Sequence, residues 1–324
     1  MAGRRSVSVQ EQEARQPEKA PVKLFQDYMD IGASLAEPEP NLDFVLPGLL
    51  AGTLGVLVSP GGAGKSMLAL QAGLCVATGQ NLWALFGEDV KPGRVLIVNA
   101  EDPKIILARR LHALRSSVPP VFERTDVLPN IRIKSVHGAG FSLGAWTNGQ
   151  YVRSQGFDVL TEEIEEFQPR LIIWDTLNRL LSGISENDNA AIGRVMSEIE
   201  AVQAHAGAAG ILLHHISKVT ALGGQGDQQQ AARGAGAITD NARWQMNLQT
   251  MTTEDAQARG LDEIQRKRWV RSMTTKTNYS APIDDRWYQR GDGGVLTNNV
   301  PPAAVKAKKG RKRPVTGGSQ EIGW

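Results

Sequence analysis

The chain has 324 residues, 41% of them hydrophobic, and a formal net charge of +2. That is enough apolar material for one large core, with or without disordered ends. The single cysteine, Cys75, excludes a disulfide framework and suits a reducing compartment; no apolar leader or bilayer-length run is present, so a cytoplasmic protein without a membrane partner is expected.

Residues 1–40 are polar and proline-containing and read as a flexible N-terminal arm. Within it, LFQDYMDIGASL (24–35) suits a short amphipathic helix docking on a neighbour. From residue 41 to residue 300 the pattern is regular. Strands are predicted at 52–59, 94–100, 131–136, 170–175 and 210–215, with helices at 65–78, 103–115, 158–168 and 188–206 between them. This alternation predicts an α/β domain with a mostly parallel sheet flanked by helices. Closely spaced segments at 243–250, 267–277, 285–290 and 294–297 predict antiparallel extension strands at the C-terminal side. Residues 301–324 hold six basic residues and one acid, leaving −3 on the remainder. They read as a disordered basic tail, either a non-specific DNA anchor or a solubilising terminus.

SPGGAGKS (59–66) lies between an apolar β-branched segment and an apolar helix. Gly61, Gly62, Ala63 and Gly64 form a turn whose backbone N–H groups face phosphate oxygens. Lys65 is placed for the β- and γ-phosphates of ATP and Ser66 for Mg²⁺. Ser59 stands where the general phosphate-loop pattern has its first glycine.

Three more apolar strands end in polar side chains. LIIWD ends in Asp175, a candidate for ordering the Mg²⁺ shell. VLIVNAEDP ends in Glu101 and Asp102, and its strand is expected beside the phosphate-loop strand. Glu101 is read as the base polarising the attacking water, and Asp102 as the N-cap of the next helix. GILLHH ends in His214 and His215, whose side chains point to opposite faces of a strand and so do not chelate one ion together. The stretch 219–237, rich in Gly and Gln, is too long for a simple turn. Arg243 opens the next strand and Lys276 stands near another strand end; each is either a surface cation or one supplied across a subunit interface.

These motifs resemble the RecA-like ATPases and, more closely, the RepA-type hexameric replicative DNA helicases of broad-host-range plasmids. The likeness runs in order through LDFVLPGLLAGTLGVLVSPGGAGKSMLALQ, EDP, DTLNR, LLHHISK, GDQQQAARGAGAITDNARWQ and KTNYSAPIDDRWYQRGDGGVL. It is weakest between 104 and 170. SPGGAGKS, with its serine, looks like the family's own variant. The resemblance implies Lys65 and Ser66 at phosphate and Mg²⁺, Glu101 as catalytic base and Asp175 at the metal. It also implies His215 as γ-phosphate sensor, Arg243 as the finger entering the adjacent subunit, and Lys276 as a second trans-acting cation. The expected assembly is a homo-hexamer acting on single-stranded DNA, working beside a primase and an origin-binding initiator. The loops 179–190 and 219–237 are the candidates for the channel, and aromatic stacking platforms are not evident in them; phosphate contact is expected through Arg179, Lys218 or Arg233. An ATPase that assembles on DNA or a partner without unwinding shares every nucleotide residue. A small-molecule kinase fits less well, because an arginine-rich lid and an acceptor pocket are not evident.

Overall fold

A computed structural model describes residues 28–88, 90–185, 188–215 and 236–305. Lys218 and Arg233 therefore lie outside the described residues. The chain divides into a short unit ending at Leu42 and a large unit from Asp43 onward. In the short unit, helix α1 (Ile31–Ala36) is N-capped by Asp30, whose Oδ1 accepts from Ala33 N at 2.9 Å.

The large unit opens with a hairpin, β1 (Phe44–Leu46) and β2 (Leu49–Leu50). Strand β3 (Leu54–Ser59) leads through the glycine-rich turn into α2 (Lys65–Thr78). Next come β4 (Val95–Asn99), α3 (Lys104–Ser117), α4 (Pro119–Glu123) and β5 (Ile131–Ser135). A second hairpin, β6 (Gly144–Thr147) and β7 (Gln150–Arg153), precedes α5 (Gln155–Phe167) and β8 (Leu171–Asp175). The chain continues with α6 (Leu177–Leu180), β9 (Leu181–Ser182), α7 (Asn189–Ala206) and β10 (Ala209–His215). After α8 (Gly236–Asn241) come β11 (Trp244–Thr250), β12 (Trp269–Thr277), β13 (Arg286–Arg290) and β14 (Leu296–Asn298).

Nine strands form the main sheet in the order β14-β13-β12-β11-β3-β10-β8-β4-β5. The pairs from β11 through β3, β10, β8 and β4 to β5 are parallel, and β11 through β14 pair antiparallel. The predicted class is thus observed. The expected adjacency of β3 and β4 is not, because β10 and β8 lie between them. Period-two burial explains the near-continuous apolar strands. Leu57, Ile97, Ile173 and Leu213 join the core under α2, while Val56, Val98, Ile172 and Leu212 join a second core under α5, α6 and α7. Helix α2 is buried almost all round, including Cys75 at 0% exposure. Helix α5 buries only Phe157, Leu160, Ile164 and Phe167. It starts three residues earlier than predicted, at Gln155, because Ser154 supplies the N-cap oxygen, accepting from Phe157 N.

Two further expectations are corrected. Asp102 does not cap α3; the cap position is Pro103, with no side-chain acceptor, and Asp102 pairs instead with Arg110 at 2.5 Å. The expected loop 179–190 carries regular structure at both ends, with α6 and β9 taking in 179–182 and α7 beginning at Asn189. Strand β9 joins the second hairpin in a separate sheet of order β7-β6-β9. Residues 301–305, at the head of the basic segment, are tied to the preceding domain: Pro302 O accepts from Arg259 and Val305 N donates to Ala258 O. No described helix is long and apolar enough to cross a membrane.

Candidate active site

Parallel strands expose their C-terminal ends at one edge of the sheet, and the polar residues gather there. At the end of β3, Gly62 (φ 81°) and Gly64 (φ 103°) hold left-handed backbone that a side chain would strain. The turn delivers Lys65 at the first position of α2, 4% exposed, in a cleft of about 270 Å³. Ser59, Gly62, Ser66, Glu101, Arg110, His215 and Arg290 are among its other lining residues.

Lys65 Nζ lies 3.4 Å from His215 Nε2, which lies 3.5 Å from Glu101 Oε1. Burial lowers the affinity of Lys65 for its proton, and the carboxylates of Asp175 and Glu101 oppose that loss. Burial pushes the Asp175 carboxyl up, against the pull of Lys65 and a hydrogen bond from Ser66. Glu101 is held below the ordinary carboxylate range, chiefly by its hydrogen bond with His215. It is therefore an ionised carboxylate at neutral pH, the form a general base requires.

The neighbouring strands explain how Glu101 reaches the site although β4 is not beside β3. Asn99 is in register with Asp175, and its Nδ2 donates to Asp175 Oδ2 at 3.2 Å. Ala100 N donates to Asp175 O, so the chain leaving β4 stays along β8 for one more residue. Glu101 then overhangs the strand ends toward His215. His214, the preceding residue, points into the interior at 5% exposure, and burial lowers its pKa to about 4.

MgATP fits this chemistry. Asp175 Oδ1 and Glu101 Oε2 are buried and lack a hydrogen-bond partner among the described residues. Two unpartnered acceptor atoms, on carboxylates whose charges act on Lys65 at the end of the backbone nest, suit a hydrated cation riding on phosphate. Ser66 and Asp175 would hold the ion, and Gly61, Gly62, Ala63, Gly64 and Lys65 the phosphates. The ion would supply neutralisation of phosphate charge.

Two site residues escape sequence reasoning. Arg110, on α3, lines the cleft and pairs with Asp102. Arg290, on β13, donates through Nη2 to Gly62 O at 3.1 Å and Ala63 O at 2.8 Å. It has no ion-pair partner among the described residues, and burial disfavours its charge. For Arg110, the only sequence signal was its place one helical face along from Asp102. Arg290 is brought in by the antiparallel extension and carried no local signal.

The remaining predicted residues lie elsewhere within the chain. Arg243 is exposed, and its backbone N donates to Leu54 O, at the opposite end of β3 from the phosphate loop. Six residues of strand separate the two ends, about 17 Å. Its charged surroundings are Glu200 and Lys276. Lys276 Nζ donates to Thr239 O at 3.0 Å and Asp240 O at 3.2 Å, carbonyls of α8. Arg179 is exposed on α6.

Comparison with known proteins agrees with this geometry. The fold is similar to that of the ATPase domain of G40P, with a TM-score of 0.52 and 15% identity, covering 83% of this chain and 96% of that one. The sequence matches the family described as AAA domain over residues 18–221, which takes in the phosphate loop, Glu101, Asp175 and His215. The chain belongs to that family of AAA domains.

Proposed function

We propose that the chain is the motor subunit of a ring-forming replicative DNA helicase of the RepA type, translocating on single-stranded DNA by hydrolysing ATP at subunit interfaces. The observation that carries this reading is the division of the catalytic set. Lys65, Glu101 and His215 converge at one end of the sheet, whereas Arg243 is exposed at the other. Within one chain Arg243 does not reach the cleft. In a closed ring, each cleft would receive the arginine of its neighbour.

The chain's own residues have distinct tasks. The backbone turn and Lys65 bind phosphate, and Glu101 takes the proton of the attacking water. His215, placed between Lys65 and Glu101, senses whether Lys65 is engaged by phosphate. It is also the last residue of β10, and the sequence that follows it carries Lys218 and Arg233.

Strand displacement on a forked duplex tests the proposal, with light scattering in parallel. An oligomer that separates strands with ATP, and loses this in Lys65→Ala and Asp175→Asn, supports it. ATP hydrolysis without displacement would leave a DNA- or partner-binding ATPase. A fully active monomer would exclude the ring.

A further inference from the structure

The second hairpin is unassigned by anything above. Its turn, Asn148-Gly149, has φ of 51° and 75°, the left-handed pair that closes a tight two-residue hairpin. Trp146 stands directly across from Tyr151 on the partner strand. The two rings therefore share one face of the ribbon. Tyr151 is fixed, its hydroxyl donating to Leu143 O at 2.9 Å. Trp146 is 37% exposed, unusual for an indole.

The hairpin is braced from beneath. Arg153 at its end bonds Asp158 at 2.9 Å and Glu198 at 3.1 Å, and its guanidinium lies 4.3 Å from the centre of the Phe157 ring. Gly144 is packed too tightly for a side chain, since a Cβ there would clash with Val152 O and the Tyr151 ring. The ribbon is thus a rigid mount on α5 and α7.

Its third strand gives it a partner. Gly144 and Ala145 pair in parallel with Leu181 and Ser182 of β9. Leu181 lies six residues beyond Asp175, the candidate metal ligand, and Arg179 lies exposed just before it. No acidic residue occurs between Gly138 and Phe157. An exposed indole, polar Thr147, Asn148 and Gln150 at the tip, and an arginine on the adjoining segment match a polyanion that also offers flat π-faces.

We propose that Trp146 is a base-stacking platform for single-stranded nucleic acid, with Arg179 holding a neighbouring phosphate. This rests on reading the chain as a motor on single-stranded DNA. Stacking supplies contact that is indifferent to sequence, as translocation requires. Because β6 is hydrogen-bonded to β9, a strand seated on Trp146 is coupled through six residues of backbone to Asp175.

The test is binding of a fluorescein-labelled oligothymidylate by full-length protein with a non-hydrolysable ATP analogue, across a salt series. Trp146→Leu fills similar space without a π-face and is expected to weaken binding about 5- to 150-fold, whereas Trp146→Tyr keeps most of it. The plot of log Kd against log salt should be displaced in Trp146→Leu with its slope kept, because stacking releases no counterions. In Arg179→Ala the slope should fall by about 1. Photo-cross-linking of iodouracil-substituted oligonucleotide to wild-type protein should mark the peptide spanning 144–153, a readout independent of any variant's folding. Equal affinity of Trp146→Leu and wild type, or cross-links confined to other peptides, overturns the platform alone. Wild-type protein that binds no oligonucleotide overturns the DNA-motor reading and the platform with it.

Discussion

Lys65 Nζ and His215 Nε2 lie 3.4 Å apart, and the same ring nitrogen lies 3.5 Å from Glu101 Oε1. In a neutral imidazole, one nitrogen either accepts from the ammonium or donates to the carboxylate. The proton on Nε2 thus decides which neighbour His215 holds. When phosphate draws the lysine away, the ring is free to donate to Glu101.

This sharing sets the pH dependence of catalysis. Glu101 is held low mainly by His215, whereas burial pushes Asp175 up, so in the wild type Glu101 should not be the carboxylate that first limits activity as pH falls. In His215→Ala that hydrogen bond is gone, and the Glu101 carboxyl should protonate at higher pH. The acid limb of the kcat profile should move upward, measured by phosphate release from pH 4 to 8. An unmoved limb would separate His215 from the ionisation of Glu101.

Glu101→Gln should bind ATP with near wild-type affinity and hydrolyse it roughly 100- to 10,000-fold more slowly. Equilibrium binding of a fluorescent ATP analogue, paired with single-turnover hydrolysis, checks both halves. Loss of binding would show that Glu101 is structural or a metal ligand.

Arg290 anchors the phosphate loop by two of its carbonyls. Removing it leaves Gly62 and Ala63 free to turn. Arg290→Ala is expected to weaken ATP binding by about tenfold or more, given the usual worth of a charged hydrogen bond. Arg290→Lys, a single point charge, should recover part of this. Titration calorimetry with ATP distinguishes the three proteins.

Arg243→Ala should assemble and bind ATP yet turn over roughly 1,000-fold more slowly or worse. Mixing it with Lys65→Ala should restore activity, because some interfaces then pair an intact Lys65 with an intact Arg243. If subunits exchange, as followed by energy transfer between labelled chains, and no activity returns, the arginine does not complete a neighbour's site.

His214 sets a stability window. Its pKa is about 4 in the folded chain against 6.5 ordinarily, so unfolding takes up a proton between those values. Its contribution is full above pH 6.5 and is lost as pH falls toward 4, on the order of 3 kcal/mol in all. Urea unfolding at pH 7 and pH 5 should show roughly 2 kcal/mol of this loss, and His214→Asn should flatten the difference.

Much of this site was legible because its signals are local. The phosphate loop, the strand-end Asp175 and the His214–His215 pair each announce themselves within ten residues. Strand order was not legible. Nothing in the apolar runs of β3, β4, β8 and β10 distinguishes which lie side by side, since all four are buried on both faces. The expectation for Glu101 therefore rests on an adjacency the sheet does not have, and the overhang beyond Asn99 is what carries it toward His215. Arg290 sits more than two hundred residues from the carbonyls it binds, so only the folded sheet reveals it. The second hairpin does carry a signal, the Asn148-Gly149 pair between alternating residues, a turn chemistry separate from the strand–helix alternation.

Cys75 lies in the last turn of the helix that begins with Lys65, and it is the chain's one sulfhydryl. At 0% exposure, with its Sγ against Leu82 O, it reacts with a maleimide only when the packing around the end of that helix opens. The molecule thus contains a built-in clock. Alkylation timed by mass spectrometry counts openings of the nucleotide-bearing segment one chain at a time, without any engineered label. Ligands that grip the phosphate loop should slow the clock, and the slowing would rank them by how firmly they hold the helix down.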